Sequence, residues 1–557
     1  MIAGRSTAML APALLLAAMP GAMGQVAPQP ANPAREAPSP SVRTGVTTHF
    51  SQGWPDRLMA DAARLGAVTI RDSVAWPRVE REAGRYEFTA ANSGHIARAC
   101  AAGMTVLLGL EPRNPLYDAG QTVWSPAGQS AFARYVRALA DRWPGCVIAV
   151  EIGNEINGKG GMTGPATANR VAAHVALLKA VHSAVKPAHP EVSLLGGSVN
   201  TVATGFLSRL FAAGALDWVD GIAVHPYRSE PEGLDRELAR VTAAMHRAGR
   251  LRPIWATEFS REFPDPAAAP GWYLKAAALM ESAGVSAHFW YALADQPAFP
   301  TMGLERLDST AKPVARAFAF AARELAPLGP ARRVDHGDPT LFHFRYGRDT
   351  QVIWGAARRL SAPPGARAFA ADGTPIAMPA RLGETPVVIR QAPAIGFGPS
   401  DILADSALGF GEPPLRWFAR KADGALLPLA PVDWEWTTYL GTPALPAFAA
   451  TASGIGTTAT AGTLVRYTAP TGPPMRVTAA LCLRPCIPRP AVHATIMSGS
   501  RTLWEAPLTG PARLAVPATL VAGEHLDLVL MPARGAAPAR IPYRLQIVRG
   551  DAPAPPC

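Results

Sequence analysis

The sequence predicts an α/β protein: a (β/α)8 TIM barrel followed by a small β-domain and a C-terminal β-sandwich. Three observations carry this. From Thr44 to about Leu328, short apolar runs alternate with stretches of helical periodicity, the pattern of βα units around a parallel sheet. Eight such runs can be placed, the number that closes a barrel. Beyond Leu328 helical periodicity gives way to short strand-like runs separated by Gly and Pro turns, as in β-sandwich modules.

Taken in chain order, residues 1–24 combine a basic start, an apolar core at 8–19 and small residues at 22–24, which reads as a secretory signal peptide. The rival reading, a membrane anchor, meets the objection that this run is shorter than the roughly 20 residues a spanning helix needs. No later run is longer, so no stable membrane insertion is expected. Residues 25–43 are a Pro/Ala-rich linker with too few apolar anchors to fold alone. The barrel spans 44–328, with strands expected at 46–49, 68–71, 105–108, 147–152, 192–195, 221–225, 254–258 and 287–290. Helical spacing of apolar residues recurs at 131–142, 166–185 and 234–248. A doubly wound open sheet is the structural competitor. It is disfavoured because no Gly-x-Gly-x-x-Gly follows the first run and polar residues recur at several strand ends. Residues 331–395 form the small β-domain packed on the barrel, and 401–550 the β-sandwich module.

At 557 residues the chain exceeds one ordinary hydrophobic core. Its formal charge of +11 is spread over scattered arginines without a basic stripe, so nucleic acid is not an expected partner. An acidic polysaccharide is compatible with that charge, although arginine-rich composition explains it equally. Five cysteines in an exported chain permit disulfides. Cys482 and Cys486 flank a short turn and are placed to pair. Cys100 and Cys146 each precede an inner strand, where they form either a second bridge or two buried free thiols. Cys557 is left over, and no Cys/His spacing matches a zinc site, so no metal or cofactor is expected.

Two glutamates carry the functional reading. Glu155 follows the run at 147–152 and Glu258 closes the run at 254–258, which places both carboxylates at the carboxyl ends of inner strands, where such barrels keep their chemistry. Splitting a glycosidic bond with retention needs one carboxyl to protonate the leaving oxygen and another, ionised, to attack the anomeric carbon. Glu155 is assigned as acid/base and Glu258 as nucleophile. Arg71, at the end of the second run, would keep Glu258 ionised. Asn154 would offer its amide to a sugar hydroxyl, Tyr227 would hold the nucleophile's rotamer, and His225 would line the cleft near the acid. Trp290 would form a stacking floor for a pyranose, with His49 and Trp76 as further members of the bowl. Each residue alone has a structural alternative: a helix cap for Asn-Glu, a satisfied polar group for His or Tyr, a core position for Trp. Their joint occurrence at strands two, four, six, seven and eight favours the functional reading.

These motifs resemble retaining glycoside hydrolases of clan A, over roughly residues 45–323. Within the clan the likeness is to family thirty-nine and related bacterial exopolysaccharide endoglycosidases, through Gly45-Val-Thr-Thr-His-Phe50, Trp76-Pro-Arg-Val-Glu80 with Gly84-Arg-Tyr-Glu-Phe88, Asn114-Pro-Leu-Tyr117, Glu151-Ile-Gly-Asn-Glu155, Val224-His-Pro-Tyr227, Trp255-Ala-Thr-Glu258 and Lys312-Pro313. The resemblance implies a β-linked substrate, an acid/base after strand four, a nucleophile after strand seven and no metal. Some clan members carry a His after strand three, which Leu108-Gly-Leu-Glu-Pro-Arg113 lacks, so their substrate preference does not transfer. The expected function is a secreted, periplasmic or extracellular retaining β-glycosidase with endo action, that is internal cleavage, on a polysaccharide or oligosaccharide. The alternatives are an exo-acting β-xylosidase-like or uronidase-like hydrolase, or a non-cleaving carbohydrate-binding accessory protein. The β-modules are expected to support the barrel, with glycan binding as their alternative role.

Overall fold

Eight parallel strands close on themselves: β1 (Arg43–Thr47), β2 (Thr69–Asp72), β3 (Thr105–Leu110), β4 (Val147–Ile152), β5 (Ser193–Asn200), β6 (Gly221–His225), β7 (Ile254–Phe259) and β8 (Val285–Trp290), with β8 pairing back onto β1. The structure, a computed structural model, describes residues 43–485 and 492–555. The expected signal peptide and nearly all of the linker lie outside the described residues; Arg43, assigned to the linker, instead opens β1.

The helices form where apolar spacing and caps agree. They are α1 (Arg57–Leu65), α2 (Ala90–Ala101), α3 (Pro126–Arg142), α4 (Arg170–Val185), α5 (Thr204–Ala212), α6 (Leu234–Arg247), α7 (Ala269–Ser282) and α8 (Pro313–Phe320). In α3, Ser125 Oγ accepts from Gly128 N at 3.0 Å and Pro126 fills the first turn, so the helix begins five residues before its periodic core. In α2, Thr89 and Asn92 cap each other reciprocally. Cys100 at the end of α2 is joined by a disulfide to Cys146 just before β4, with Cα atoms 5.7 Å apart, which decides between the bridge and two free thiols. Cys486, the expected partner of Cys482, lies outside the described residues.

Inside the barrel, Leu107, Ala149, Leu195, Ala223, Trp255, Ala287 and Phe289 form one closed apolar layer. Two residues further along their strands come Gly109, Glu151, His225 and Thr257, and Arg71 on β2 joins this polar layer. Because strand side chains alternate with period two, the polar layer sits directly above the apolar plug, at the carboxyl mouth.

The segment after α8 forms a six-stranded sheet containing Leu341–Tyr346, Thr350–Gly355 and Val387–Arg390, and a three-stranded sheet containing Arg358–Ser361. Phe342, Phe344, Tyr346 and Trp354 of the first sheet share the barrel's own hydrophobic core. Trp354 Nε1 also donates to the buried carboxylate of Glu232 at 3.0 Å. From Ile402 onward, a four-stranded sheet (Ile402–Asp405, Tyr543–Arg549, Met475–Leu483, Ala512–Leu520) and a six-stranded sheet that includes Leu415–Lys421, Ala461–Thr468 and His525–Pro532 enclose a separate core. Trp417 Nε1 reaches Tyr543 Oη across that core at 2.8 Å. A further five-stranded sheet starts with a hairpin, Ala430–Asp433 and Thr438–Thr442, whose tip lies against the barrel.

Candidate active site

The polar layer is built around Arg71. Its guanidinium reaches Glu151 through Nε at 2.7 Å, Glu258 through Nη1 at 2.6 Å and Asn154 through Nη2 at 3.2 Å. A Cβ on Gly109 would come within 3.2 Å of Nη2, so glycine on the neighbouring strand makes room for this three-way contact. Glu151 is completely buried; its Oε1 also accepts from Thr257 Oγ1 at 3.0 Å and faces His225 Nε2 at 3.2 Å. Burial raises the Glu151 pKa, but the charge of Arg71 and the contact with His225 outweigh it and hold the carboxyl at about 2. Burial likewise opposes charge on His225, yet three carboxylates surround it, Glu258 foremost, and its pKa is pushed up to about 9.

Glu258 presents a carboxylate with both oxygens engaged by donors: Oε1 accepts from Arg71 and Oε2 from Tyr227 Oη at 2.6 Å. Its side chain is only 9 % exposed. Glu155 is 31 % exposed, and its Oε1 accepts from Asn200 Nδ2 at 2.6 Å and faces His225 Nδ1 at 3.4 Å. Burial raises the Glu155 pKa, but hydrogen bonding and charge from His225, with the Asn200 contact, bring it below the usual carboxylate value. The residue sits at φ +47°, a left-handed conformation costly for glutamate, fixed by Gly158 N donating to Glu155 O at 2.7 Å and Ile156 N to Ser198 O at 3.1 Å. One carboxylate oxygen of each glutamate and a ring nitrogen of His225 all lie within 4.8 Å of one another. An approach this close of one oxygen from each carboxyl is on the side of the roughly 5–5.5 Å carboxyl separation of retaining glycosidases, and leaves less room between them than the roughly 6.5–9.5 Å of inverting ones. The same three groups are the donor set a small cation would use, but the Arg71 guanidinium already occupies the position beside Glu258 and supplies the positive charge there.

Seven of the nine residues singled out from the sequence therefore meet at one mouth: Arg71, Asn154, Glu155, His225, Tyr227, Glu258 and, at its edge, His49. His49 packs edge-on against Tyr291 with ring centroids 5.5 Å apart, and burial lowers its pKa against the pull of Asp72 and Glu258. The two tryptophans need correction. Trp290 is fully buried on the outer side of β8, against Phe259, Phe263, Trp272 and Tyr273, and donates from Nε1 to Met302 O at 2.9 Å. Strand alternation explains this: Phe289 takes the lumen, so Trp290 points outward. The aromatic at the site is the following residue, Tyr291, whose ring lies 6.0 Å from that of Tyr227. Trp76 is likewise core, stacked between Tyr117 and Tyr135 and bonded through Nε1 to Glu80. Sequence reading missed the roles of Glu151, Asn200 and Tyr291. Glu151 was visible in principle, as an acidic residue at an inward position of a buried strand, two residues beyond Ala149.

No protein-family model matches the chain, and no curated protein does. Among solved structures, a family 39 glycoside hydrolase from the gut symbiont Bacteroides cellulosilyticus WH2 superposes with a TM-score of 0.53 at 17 % identity, over 63 % of this chain and 81 % of that one. A monomeric β-xylosidase from Caulobacter crescentus CB15 gives a TM-score of 0.46 at 13 % identity, over 90 % of this chain and 98 % of that one. At these identities the first likeness establishes the fold, a (β/α)8 barrel with β-modules, shared with clan A glycoside hydrolases.

Proposed function

We propose that the chain is a retaining β-glycosidase that cleaves a polysaccharide by double displacement, with Glu258 as nucleophile and Glu155 as acid/base. The observation that carries this is the pairing of two unlike carboxyls within 4.8 Å: one clamped as an acceptor by Arg71 and Tyr227, the other more exposed and beside a protonated imidazole. Arg71, His225, Glu151, Glu155 and Glu258 together carry a net charge of −1 when His225 holds its proton. In the resting site that proton lies on His225, whose Nδ1 is 3.4 Å from Glu155 Oε1. Bound sugar excludes water, and the proton passes through Glu155 to the leaving oxygen as the glycosidic bond breaks and Glu258 forms an ester at the anomeric carbon. Loss of the charge on Glu258 as the ester forms weakens its hold on the His225 proton and so favours this transfer. Glu155, now ionised, takes a proton from water, the water oxygen attacks the anomeric carbon, Glu258 leaves as carboxylate, and the proton passes from Glu155 back to His225, which restores the resting site.

A cavity of about 990 Å³ lies between α6 and the C-terminal β-sheets; it is bordered by Thr201 and Tyr227, neighbours of the site, but neither Glu155 nor Glu258 lines it. Export is supported by the pattern of residues 1–24 and by the Cys100–Cys146 disulfide, a bond that persists in oxidising compartments. Among the described residues no helix is long and apolar enough to cross a membrane.

The test is hydrolysis of a polysaccharide panel by wild type, Glu155→Gln and Glu258→Gln. Each substitution is expected to lower the rate by at least about two orders of magnitude. Cleavage by wild type with either variant retaining most of its rate would refute the assignment.

A further inference from the structure

The hairpin tip between Asp433 and Thr438 belongs to the C-terminal module, yet its contacts run to α5, to α6 and to the barrel loop that carries Glu155. Asp433 receives Arg240 of α6 through both carboxylate oxygens, at 2.6 and 2.9 Å. Trp434 O accepts from Gly205 N at 3.1 Å, and Glu435 pairs with Arg209 of α5 at 2.6 Å. Asn157, two residues past Glu155, donates from Nδ2 to Glu435 O at 2.9 Å and to Asn200 O at 3.2 Å, while its Oδ1 accepts from Asn200 N at 2.9 Å. Asn200 in turn donates to Glu155. A continuous line of hydrogen bonds therefore joins the hairpin tip to the acid/base carboxyl.

Trp436 completes the arrangement. A Cβ on Gly158 would lie 3.3 Å from Cη2 of the Trp436 ring, so the glycine three residues after Glu155 lets the indole rest on the loop that carries the acid. The ring is only partly buried. In the mechanism above, Glu155 protonates the oxygen of the departing sugar, so that sugar lies on the Glu155 side of the scissile bond.

We propose that the 433–437 tip forms the leaving-group wall of the active site, with Trp436 as the stacking platform for the pyranose immediately beyond the bond that breaks. The inference rests on the glycosidase reading and adds to it a role for the C-terminal module other than support or remote glycan capture. An indole face matches the C–H face of a pyranose, and the tip's four contacts with the barrel hold it in place before substrate arrives.

The experiment uses the full chain and two kinds of substrate. β-Glycosyl fluorides of xylose, glucose, galactose and mannose carry a leaving group that reaches no further than the acid, whereas soluble xylan, glucomannan and hydroxyethylcellulose place sugars on both sides. Trp436→Ala is expected to lower kcat/KM on the polysaccharide that wild type cleaves best by about tenfold. Turnover of the fluoride should stay within about twofold of wild type. Trp436→Phe should recover part of the polysaccharide rate, with thermal unfolding of both variants confirming that they fold. Equal loss on fluoride and polysaccharide, or no loss on either, overturns the subsite while leaving the glycosidase intact, as does a wild type that turns over fluorides but no glycan. A wild type inert on every fluoride and every glycan refutes the glycosidase reading itself, and the subsite with it.

Discussion

Replacing Glu151 with glutamine tests the electrostatic design of the site without touching either reacting carboxyl. The side chain is fully buried and serves Arg71 at 2.7 Å, Thr257 at 3.0 Å and His225 at 3.2 Å. Its displacement from 4.5 to about 2 corresponds to about 3 kcal/mol of preference for the charged form. Removing one partner of a buried ion pair costs about 3–5 kcal/mol, so a loss of about 3 kcal/mol is expected on denaturant unfolding at pH 7. The pH dependence gives an independent signature. Because its folded-state pKa is depressed, Glu151 stabilises the fold above pH 4.5 and that contribution fades as pH falls toward 2. The variant should therefore lose less stability than wild type on acidification. His225 is raised to about 9, so its charge stabilises the fold below its unfolded value of 6.5 and the effect is lost as pH rises through 9. Without the Glu151 carboxylate the His225 pKa falls, and the alkaline limb of the rate profile should move to lower pH. A variant within about 1 kcal/mol of wild type, with an unchanged alkaline limb, would refute the reasoning.

Other substitutions separate structure from chemistry. Cys100→Ser with Cys146→Ser opens a loop of 46 residues and should cost about 4 kcal/mol by chain entropy, read as a fall in denaturant midpoint without a change in KM. Asn200→Ala removes a donor that favours ionised Glu155, so the Glu155 pKa should rise, read by NMR titration of its carboxyl; a shift the other way contradicts the assigned contact. Trp290→Phe orphans Met302 O and should cost about 1–3 kcal/mol of stability with KM unchanged. A large rise in KM at unchanged stability would return Trp290 to the cleft.

The barrel was legible in the sequence because its strands are buried on both faces and read as short apolar runs; β4 and β6 match their expected limits, and the others differ by a few residues at their ends. The paired glutamates were legible because each follows such a run. What the runs do not show is side-chain direction. Period-two alternation along β8 puts Phe289 inside and Trp290 outside, and the same alternation along β4 puts Glu151 beneath Glu155. Counting inward from Ala149 or Ala287 would have found both. Asn200 carried a weaker signal, a polar residue at the end of an otherwise apolar strand. The hairpin at 433–437 carried none, because its place beside Glu155 depends on contacts made across more than 200 residues of chain, such as Asn157 with Glu435.

Covalent capture tests the central claim most directly. Incubation with 2-deoxy-2-fluoro-β-glycosyl fluorides of the sugars that wild type turns over slows both chemical steps and lets the glycosyl-enzyme accumulate. Peptide mass analysis is expected to find one glycosyl group, esterified to Glu258. A label on Glu155 or on any other residue would contradict the account, as would its absence from an enzyme that hydrolyses the corresponding unmodified fluoride.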